Sequence, residues 1–149
     1  MPPFVSHMDH ALAQARLAAA RGEVPVGAVL VMPDGQVFAD GNRTREDFDP
    51  TAHAEIAVIR AACAAIKSER LPGAVLYVTL EPCAMCAAAT ANARIARVVF
   101  AASDPKSGGV LHGARVFSHP QAHHVPEVID GIGASEAEAL LKDFFAARR

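Results

Sequence analysis

Two cysteines, Cys83 and Cys86, lie three residues apart directly behind Pro82. The chain has only one other cysteine in 149 residues, and its first residues are not typical of a secretion signal, so a disulfide framework is not expected. Two thiolates at this spacing can instead hold a metal ion or form a redox pair. Other residues must decide between these two functions.

A histidine and a glutamate, His53 and Glu55, stand at the start of a predicted helix, upstream of the cysteine pair. One imidazole and two thiolates favour zinc over magnesium or calcium. Cys63 is excluded as a fourth ligand, because ten residues along one helix place it roughly 15 Å from His53. Three protein ligands with an open position are typical of a catalytic zinc that binds water.

Glu55 is the candidate proton carrier. Residues two apart on a regular helix point in nearly opposite directions, so we expect His53 at the irregular helix start and Glu55 beside the metal without binding it. A carboxylate there can take a proton from metal-bound water and pass it to a substrate, which predicts a hydrolytic reaction. Taken alone, His53 could be a helix cap or a packed ring and the cysteines a redox pair. Taken together, the two motifs favour the metal site.

The elements that position these residues follow from apolar spacing and turn residues. Thr51 is expected to cap the second helix and Pro82 to open the third. The strand, helix and strand over residues 75–101 predict a right-handed crossover between parallel strands. Helices are predicted over residues 8–21, 53–66 and 82–93 and after a capping-box pair at Ser135 and Glu138, and strands over 26–32, 37–38, 75–80, 97–101 and 125–129. This order predicts an α/β fold, with a mixed sheet of about five strands and helices on both faces.

The composition sets the limits of the function. With 52% hydrophobic and 20% charged residues, the chain is expected to form a single domain over residues 1–149. A formal net charge of −2 argues against a broad basic face that coats nucleic acid. No run approaches the roughly 18 apolar residues of a spanning helix, so we expect a cytoplasmic location.

The metal motifs resemble those of the zinc-dependent deaminase superfamily, which carries His-x-Glu and Pro-Cys-x-x-Cys. The resemblance extends from about Met8 to the end of the chain and is similar in detail to the bacterial tRNA-specific adenosine deaminases. The segments that carry it are EVPVGAV at 23–29, DPTAHAEI at 49–56, LYVTLEPC at 76–83, RIARVVF at 94–100, and the closing Phe144-Phe145 and Arg148-Arg149.

The resemblance implies a three-layer α/β/α, cytidine-deaminase-like fold and a homodimer. It also implies a zinc cofactor and a tRNA anticodon stem-loop as partner, with conversion of the wobble adenosine of an arginine tRNA to inosine. In that reaction zinc-bound hydroxide attacks C6 of a flipped-out adenine, Glu55 shuttles protons and ammonia leaves.

The resemblance further implies substrate contacts by seven residues. Those of the pocket and its loops are Val26, Asn42 at the target nucleotide, the backbone of Ala54 at the base edge, and Asp104 and Lys106 at the anticodon loop. The last helix adds Phe145 and Arg148.

Three of these RNA contacts have structural alternatives. Arg148 and Arg149 are also favourable charges at a helix C-terminus. Lys106 is equally typical of a solvated loop, and Phe145 of a core position on an amphipathic helix. Where related sequences usually have Gly-Ala-Arg, residues 101–103 are Ala-Ala-Ser, which removes a possible phosphate contact.

Other functions remain open at this point. A deaminase of a free base or nucleoside, of guanine or cytosine type, would use the same metal site without an RNA surface. A non-catalytic zinc subunit that helps a partner bind RNA typically lacks the glutamate that stands here as Glu55.

Overall fold

The computed structural model describes residues 6–148. The helices within this range are α1 (Met8–Ala20), α2 (Ala54–Ile66), α3 (Ala84–Asn92) and α4 (Ala134–Ala146). The strands are β1 (Gly27–Val31), β2 (Val37–Gly41), β3 (Val75–Leu80), β4 (Arg97–Ala102) and β5 (Glu127–Asp130), and a 3-10 turn covers Val116–Ser118. No helix in the described range is long and apolar enough to cross a membrane.

The five strands form one mixed sheet in the order β2-β1-β3-β4-β5. β1 is antiparallel to β2 and to β3, whereas β3, β4 and β5 run parallel. The predicted hairpin, the parallel pair around α3 and the weak strand near residue 127 are therefore confirmed. The predicted mixed α/β fold is confirmed with them.

Helices cover both faces of the sheet because its strands alternate their apolar residues between two cores. In β1, Ala28 and Leu30 pack with α2 and α3, while Val29 packs with α1 and α4. The α2/α3 core also contains Phe100, and the α1/α4 core contains Tyr77. The sheet is thus the middle of three layers.

Gly27 allows α1 to lie directly on the sheet. A β-carbon at this position would overlap the backbone of Ala11 and of Ala15 in α1. The amide of Gly27 donates to Oγ1 of Thr79 in β3 at 3.1 Å, which ties the start of β1 to its neighbour. The segment before β1, which leads to the functional site, is thereby fixed in place.

Two predicted helix caps are wrong. His53, not Thr51, precedes the first residue of α2, and Thr51 lies in a turn where its N–H and hydroxyl donate to Asp49 at 2.8 and 2.7 Å. Helix α4 follows Gly133, whose φ of +79° suits glycine, so the pair Ser135 and Glu138 does not form a capping box. In both places the turn before the helix, and not the local side-chain pattern, determines where the helix begins.

Candidate metal centre and active site

The metal-ligand candidates lie at the starts of two helices. His53 precedes α2 and Cys83 precedes α3, both with extended backbone, and Cys86 lies in the first turn of α3. The helix that was expected to open at Pro82 therefore begins two residues later, and Cys83 stands just outside it. A helix N-terminus carries partial positive charge and free N–H groups, which favour thiolate at Cys83.

The structure brings His53, Cys83 and Cys86 together. Nδ1 of His53 lies 3.6 Å from Sγ of Cys83 and 3.4 Å from Sγ of Cys86. All three ligand atoms lie within 4.8 Å of one another. This group can hold a metal ion. Cys63 is on the far part of α2 and packs against the α2/α3 core, so it is separate from the group.

Hydrogen bonding within the group shifts the pKa values of the two thiols in opposite directions. The pKa of Cys83 is lowered to about 4, because its sulfur accepts hydrogen bonds from Cys86 and His53. The pKa of Cys86 is raised by its hydrogen bond to Cys83 and by burial. The pKa of His53 is raised through its bond to Cys83. The contacts within the group thus favour negative charge on the Cys83 sulfur, which a cation bound by the three side chains would balance.

Glu55 lies in the first turn of α2 beside this group, with only 3% of its surface exposed. Burial raises the pKa of its carboxyl. It lines the same cavity as His53 and Cys83, as expected for a group next to the metal ligands. A carboxyl group with so little contact with bulk water can exchange protons with a molecule bound in that cavity.

The cavity has a volume of about 290 Å³. Four of the seven predicted substrate residues line it, namely Val26, Asn42, Ala54 and Asp104. Its wall is completed by residues that the sequence had not indicated, which are Val24, Thr44, Leu80, Glu81 and Ser107. An opening of this size suits one small ring system rather than a long groove.

The other three predicted substrate residues lie outside this lining. Lys106 is exposed in the loop that follows β4, and its amide donates to Asp104. Arg148 donates to the carbonyl of Phe144 at 3.1 Å and stacks 3.4 Å above its ring, which matches the alternative of a cation at a helix end. Arg149 lies outside the described residues.

Phe145 is 48% exposed, so a core role for this side chain is wrong. Its neighbour Phe144 is the buried member of the pair at 7%. The two rings contact each other edge to face with centroids 5.4 Å apart. About half of Phe145 is therefore accessible to a partner, whereas Phe144 is buried near the end of α4.

Two buried glutamates near the cavity were missed by sequence reasoning. Glu23 is 2% exposed and accepts hydrogen bonds from the amides of Arg45 and Glu46. Glu81 is also 2% exposed and accepts from the loop after β4. The available sequence signal was a carboxylate set among apolar residues, in Glu23-Val-Pro-Val and Leu80-Glu-Pro-Cys.

A second cavity of about 270 Å³ lies against α3 and the loop that follows β4. Ala88, Asn92, Val116 and His119 contribute to its lining. It contains neither Glu55 nor any of the three metal-ligand candidates. The chemistry described above therefore belongs to the first cavity alone.

Comparison with known proteins agrees with this geometry. A family model described as MafB19-like deaminase matches residues 5–149. A tRNA-specific adenosine deaminase of Agrobacterium fabrum is 59% identical over 143 residues, which cover 95% of this chain and 93% of that protein.

Solved structures give the same fold. One, from a study of A-to-I editing by tRNA:A34 deaminases at the wobble position of transfer RNA, superimposes with a TM-score of 0.87 at 58% identity and covers 91% of this chain and 99% of that one. A guanine deaminase from Nitrosomonas europaea has a TM-score of 0.80 at 23% identity over 98% of this chain and 88% of that one, a similarity of fold alone. The chain belongs to the MafB19-like deaminase family and to the family of the tRNA-specific adenosine deaminases.

Proposed function

We propose that this protein is a hydrolytic deaminase that converts adenosine to inosine at the wobble position of a tRNA anticodon. The observation that carries the proposal is a group of one imidazole and two thiols at the wall of a cavity of base-sized volume, which His53, Cys83 and the buried Glu55 line. The similarity to the Agrobacterium tRNA-specific adenosine deaminase supports the choice of substrate. A tRNA substrate also implies that the enzyme works in the cytoplasm.

The donor set fits zinc in both chemistry and spacing. Nitrogen and sulfur ligands of a tetrahedral zinc, at about 2.0 and 2.3 Å from the metal, lie about 3.5 Å from each other. The corresponding distances from His53 to the two cysteines are 3.6 and 3.4 Å. We therefore assign His53, Cys83 and Cys86 as zinc ligands. Bound there, zinc would activate a water molecule for attack on the substrate ring.

Glu55 is the proposed catalytic acid and base. Hydrolytic deamination replaces the exocyclic amino group at C6 of adenine with an oxygen from water, and ammonia leaves. Both protons of the water must move, one to the ring nitrogen N1 and one to the departing amino group. Glu55 is buried and lines the cavity with His53 and Cys83, so it can accept each proton in turn and pass it to the substrate.

The substrate residues fall into two groups under this proposal. Val26, Asn42, Ala54 and Asp104 line the cavity and are assigned to the target nucleoside. Lys106, Phe145 and Arg148 are exposed outside it and are assigned to the rest of the anticodon stem-loop. The exposed ring of Phe145 can stack on a base, and the two cations can contact phosphates.

A deaminase of free bases is the second candidate. The guanine deaminase of Nitrosomonas europaea has the same fold, and a cavity of about 290 Å³ would also hold a free purine. The exposed residues assigned to RNA would then have no function in binding. The substrate has to be decided by assay.

The deciding experiment compares an anticodon stem-loop that carries wobble adenosine with a panel of free adenine, guanine and cytosine and their nucleosides. Inosine in the stem-loop is measured by mass spectrometry after nuclease digestion. We expect deamination of the stem-loop, and none of a control stem-loop whose only adenosine lies in the stem. Turnover of a free base with no turnover of the stem-loop would refute the proposal.

We include a homodimer in the proposal, since the resemblance to the tRNA deaminases implies one. Light scattering on the zinc-loaded protein at micromolar concentration tests this part independently. A mass of twice the chain is expected. A monomer that remains active would remove the dimer from the proposal without affecting the chemistry.

A further inference from the structure

Glu81 is a buried carboxylate that no step of the proposed chemistry uses. Its side chain is fully buried. In the sequence it directly precedes Pro82 and Cys83. Its two oxygens accept hydrogen bonds from the amides of Asp104, Val110, Leu111 and His112 at 2.9 to 3.2 Å. Nδ1 of His112 lies 2.7 Å from Oε1 of the same group. A single carboxylate thus accepts hydrogen bonds from both ends of the loop formed by residues 104–112.

We call residues 104–112 the wall loop. It is folded tightly around Glu81 and against the start of α3. A β-carbon on Gly108 would overlap the Glu81 carboxylate, and one on Gly109 would overlap the backbone of Ala84. The amide of Gly109 also donates to the carbonyl of Pro82 at 2.8 Å. The loop therefore has little freedom to move while these contacts hold.

The wall loop forms part of the cavity that holds the candidate metal ligands. Asp104 and Ser107 of this loop line the cavity together with Glu55 and Cys83. The position of these two residues depends on the loop backbone, and the loop backbone is held by Glu81. Movement of the loop around Asp104 and Ser107 therefore changes the shape of the pocket.

We propose that Glu81, supported by His112, is a positioning residue that fixes the wall loop and thereby sets how tightly the substrate binds. The identity of the substrate in this statement rests on the proposed function. The fixing of the loop does not, because it follows from the hydrogen bonds alone.

A carboxylate suits this position better than an amide does. Ionised glutamate offers two acceptor oxygens, whereas glutamine offers one oxygen and an amino group that can only donate. In Glu81→Gln, that amino group would face loop N–H groups, and buried donors without acceptors are unfavourable. Burial by itself raises the pKa of Glu81, but the hydrogen bonds from Asp104, His112 and Leu111 lower it below its usual value.

The expected consequence is a change in substrate binding rather than in chemistry. When only a fraction of the molecules has a binding-competent loop, the apparent dissociation constant rises by the inverse of that fraction. If Glu81→Gln leaves about one tenth of the loops in place, KM rises about tenfold. Once the substrate is bound, the loop is ordered again and kcat is expected to change little.

The experiment uses full-length, zinc-loaded Glu81→Gln with three measurements. They are zinc content, the rate of tryptic cleavage after Lys106 in the exposed part of the wall loop, and KM and kcat on the anticodon stem-loop. We expect unchanged zinc, faster cleavage after Lys106, and a KM about ten times higher with kcat within about threefold. Loss of zinc, or a fall in kcat with unchanged KM, would overturn the proposal.

Glu23→Gln is the matched control for the proteolysis. Glu23 is equally buried, but its carboxylate holds the amides of Arg45 and Glu46. Its substitution is expected to speed cleavage after Arg45 and to leave the rate after Lys106 unchanged. Equal acceleration after Lys106 in both variants would show general loosening and would contradict a specific role for Glu81.

His112→Ala provides the test should Glu81→Gln not fold. The His112 side chain is 33% exposed, so its removal is tolerable for the fold. This substitution removes the contact between the imidazole and Glu81 but keeps the backbone N–H groups that donate to Glu81. We therefore expect smaller changes of the same kind, with faster cleavage after Lys106 and a KM about three times higher. Unchanged cleavage after Lys106 in every folded variant would refute the proposal. If even the parent protein fails to deaminate the stem-loop, the proposed function fails, and the cleavage result still decides the role of Glu81.

Discussion

Nδ1 of His53 lies 3.4 Å from Sγ of Cys86, although 33 residues separate them in the chain. The contact exists because α2 and α3 begin next to each other, on the same face of the sheet, and each presents its first residues to the other. Neither residue could form this site within its own segment. The proposed metal would therefore link two parts of the chain that meet only in the folded state, and its binding is coupled to folding.

Removal of a ligand is expected to remove the metal and the activity together. We expect Cys86→Ser and His53→Ala to be purified with far less zinc than the parent chain and to unfold at lower temperature, because a metal that binds only the folded state stabilises it. Zinc is measured by elemental analysis and unfolding by calorimetry.

The control for this prediction is Cys63→Ser. Cys63 packs against the α2/α3 core and is separate from the ligand group, so zinc content and turnover should match those of the parent. Full zinc content in Cys86→Ser, or full activity after complete removal of metal by a chelator, would contradict the assignment.

Substitution of Glu55 should separate chemistry from metal binding. In Glu55→Ala we expect normal zinc content and a turnover number lower by roughly 10² to 10⁴, the usual contribution of a positioned acid and base. Glu69→Gln changes an exposed carboxylate on a different surface and should leave turnover unchanged. Turnover of Glu55→Ala close to that of the parent would remove Glu55 from the mechanism.

The candidate metal ligands could be proposed from sequence because each motif lies within a few residues at a helix start. The residue types and spacing of the motifs at His53 and Cys83 indicate metal ligands. The strand predicted between them, at residues 75–80, indicates how the two segments can meet. The parallel pairing of β3 and β4 followed from the pattern of strand, helix and strand. Local signals were enough wherever the structure is built from regular elements.

The buried glutamates could not be found in this way. The partners of Glu23 and Glu81 are backbone amides about 22 to 31 residues further along the chain, in loops without periodicity. Helix starts failed for a related reason: Ser135 and Glu138 satisfy a local pattern, but the turn at Gly133 begins the helix. Long-range hydrogen bonds and turn geometry leave little trace in the residue types.

Asn42 offers a test of the pocket wall. Its side chain is buried at the cavity, while its backbone carbonyl is held separately by Arg21 at 3.1 Å. Asn42→Ala should thus leave the loop in place and remove one side chain of the pocket that can form a hydrogen bond with the substrate. We expect kcat/KM on the stem-loop to fall about tenfold, the usual range for one such bond.

Gln36→Ala, in the exposed turn between β1 and β2, is the control for Asn42→Ala and should retain the parent kcat/KM. The unfolding temperatures of both variants should remain close to that of the parent. A kcat/KM for Asn42→Ala equal to that of the control would exclude the side chain from substrate binding.

Substitutions of the adjacent residues Phe144 and Phe145 are expected to affect different properties, the first mainly stability and the second mainly RNA binding. Phe144 is buried under Arg148, so Phe144→Ala should lower the free energy of unfolding by about 3 kcal/mol. Phe145 is about half exposed and contacts Phe144 edge to face, so Phe145→Ala should lower that free energy by less, about 0.5 to 1.5 kcal/mol. If its ring stacks on a base, the same substitution weakens stem-loop binding by about 1 to 3 kcal/mol. Urea unfolding and fluorescence anisotropy with a labelled stem-loop measure the two effects, and unchanged affinity in Phe145→Ala would assign this ring to the surface alone.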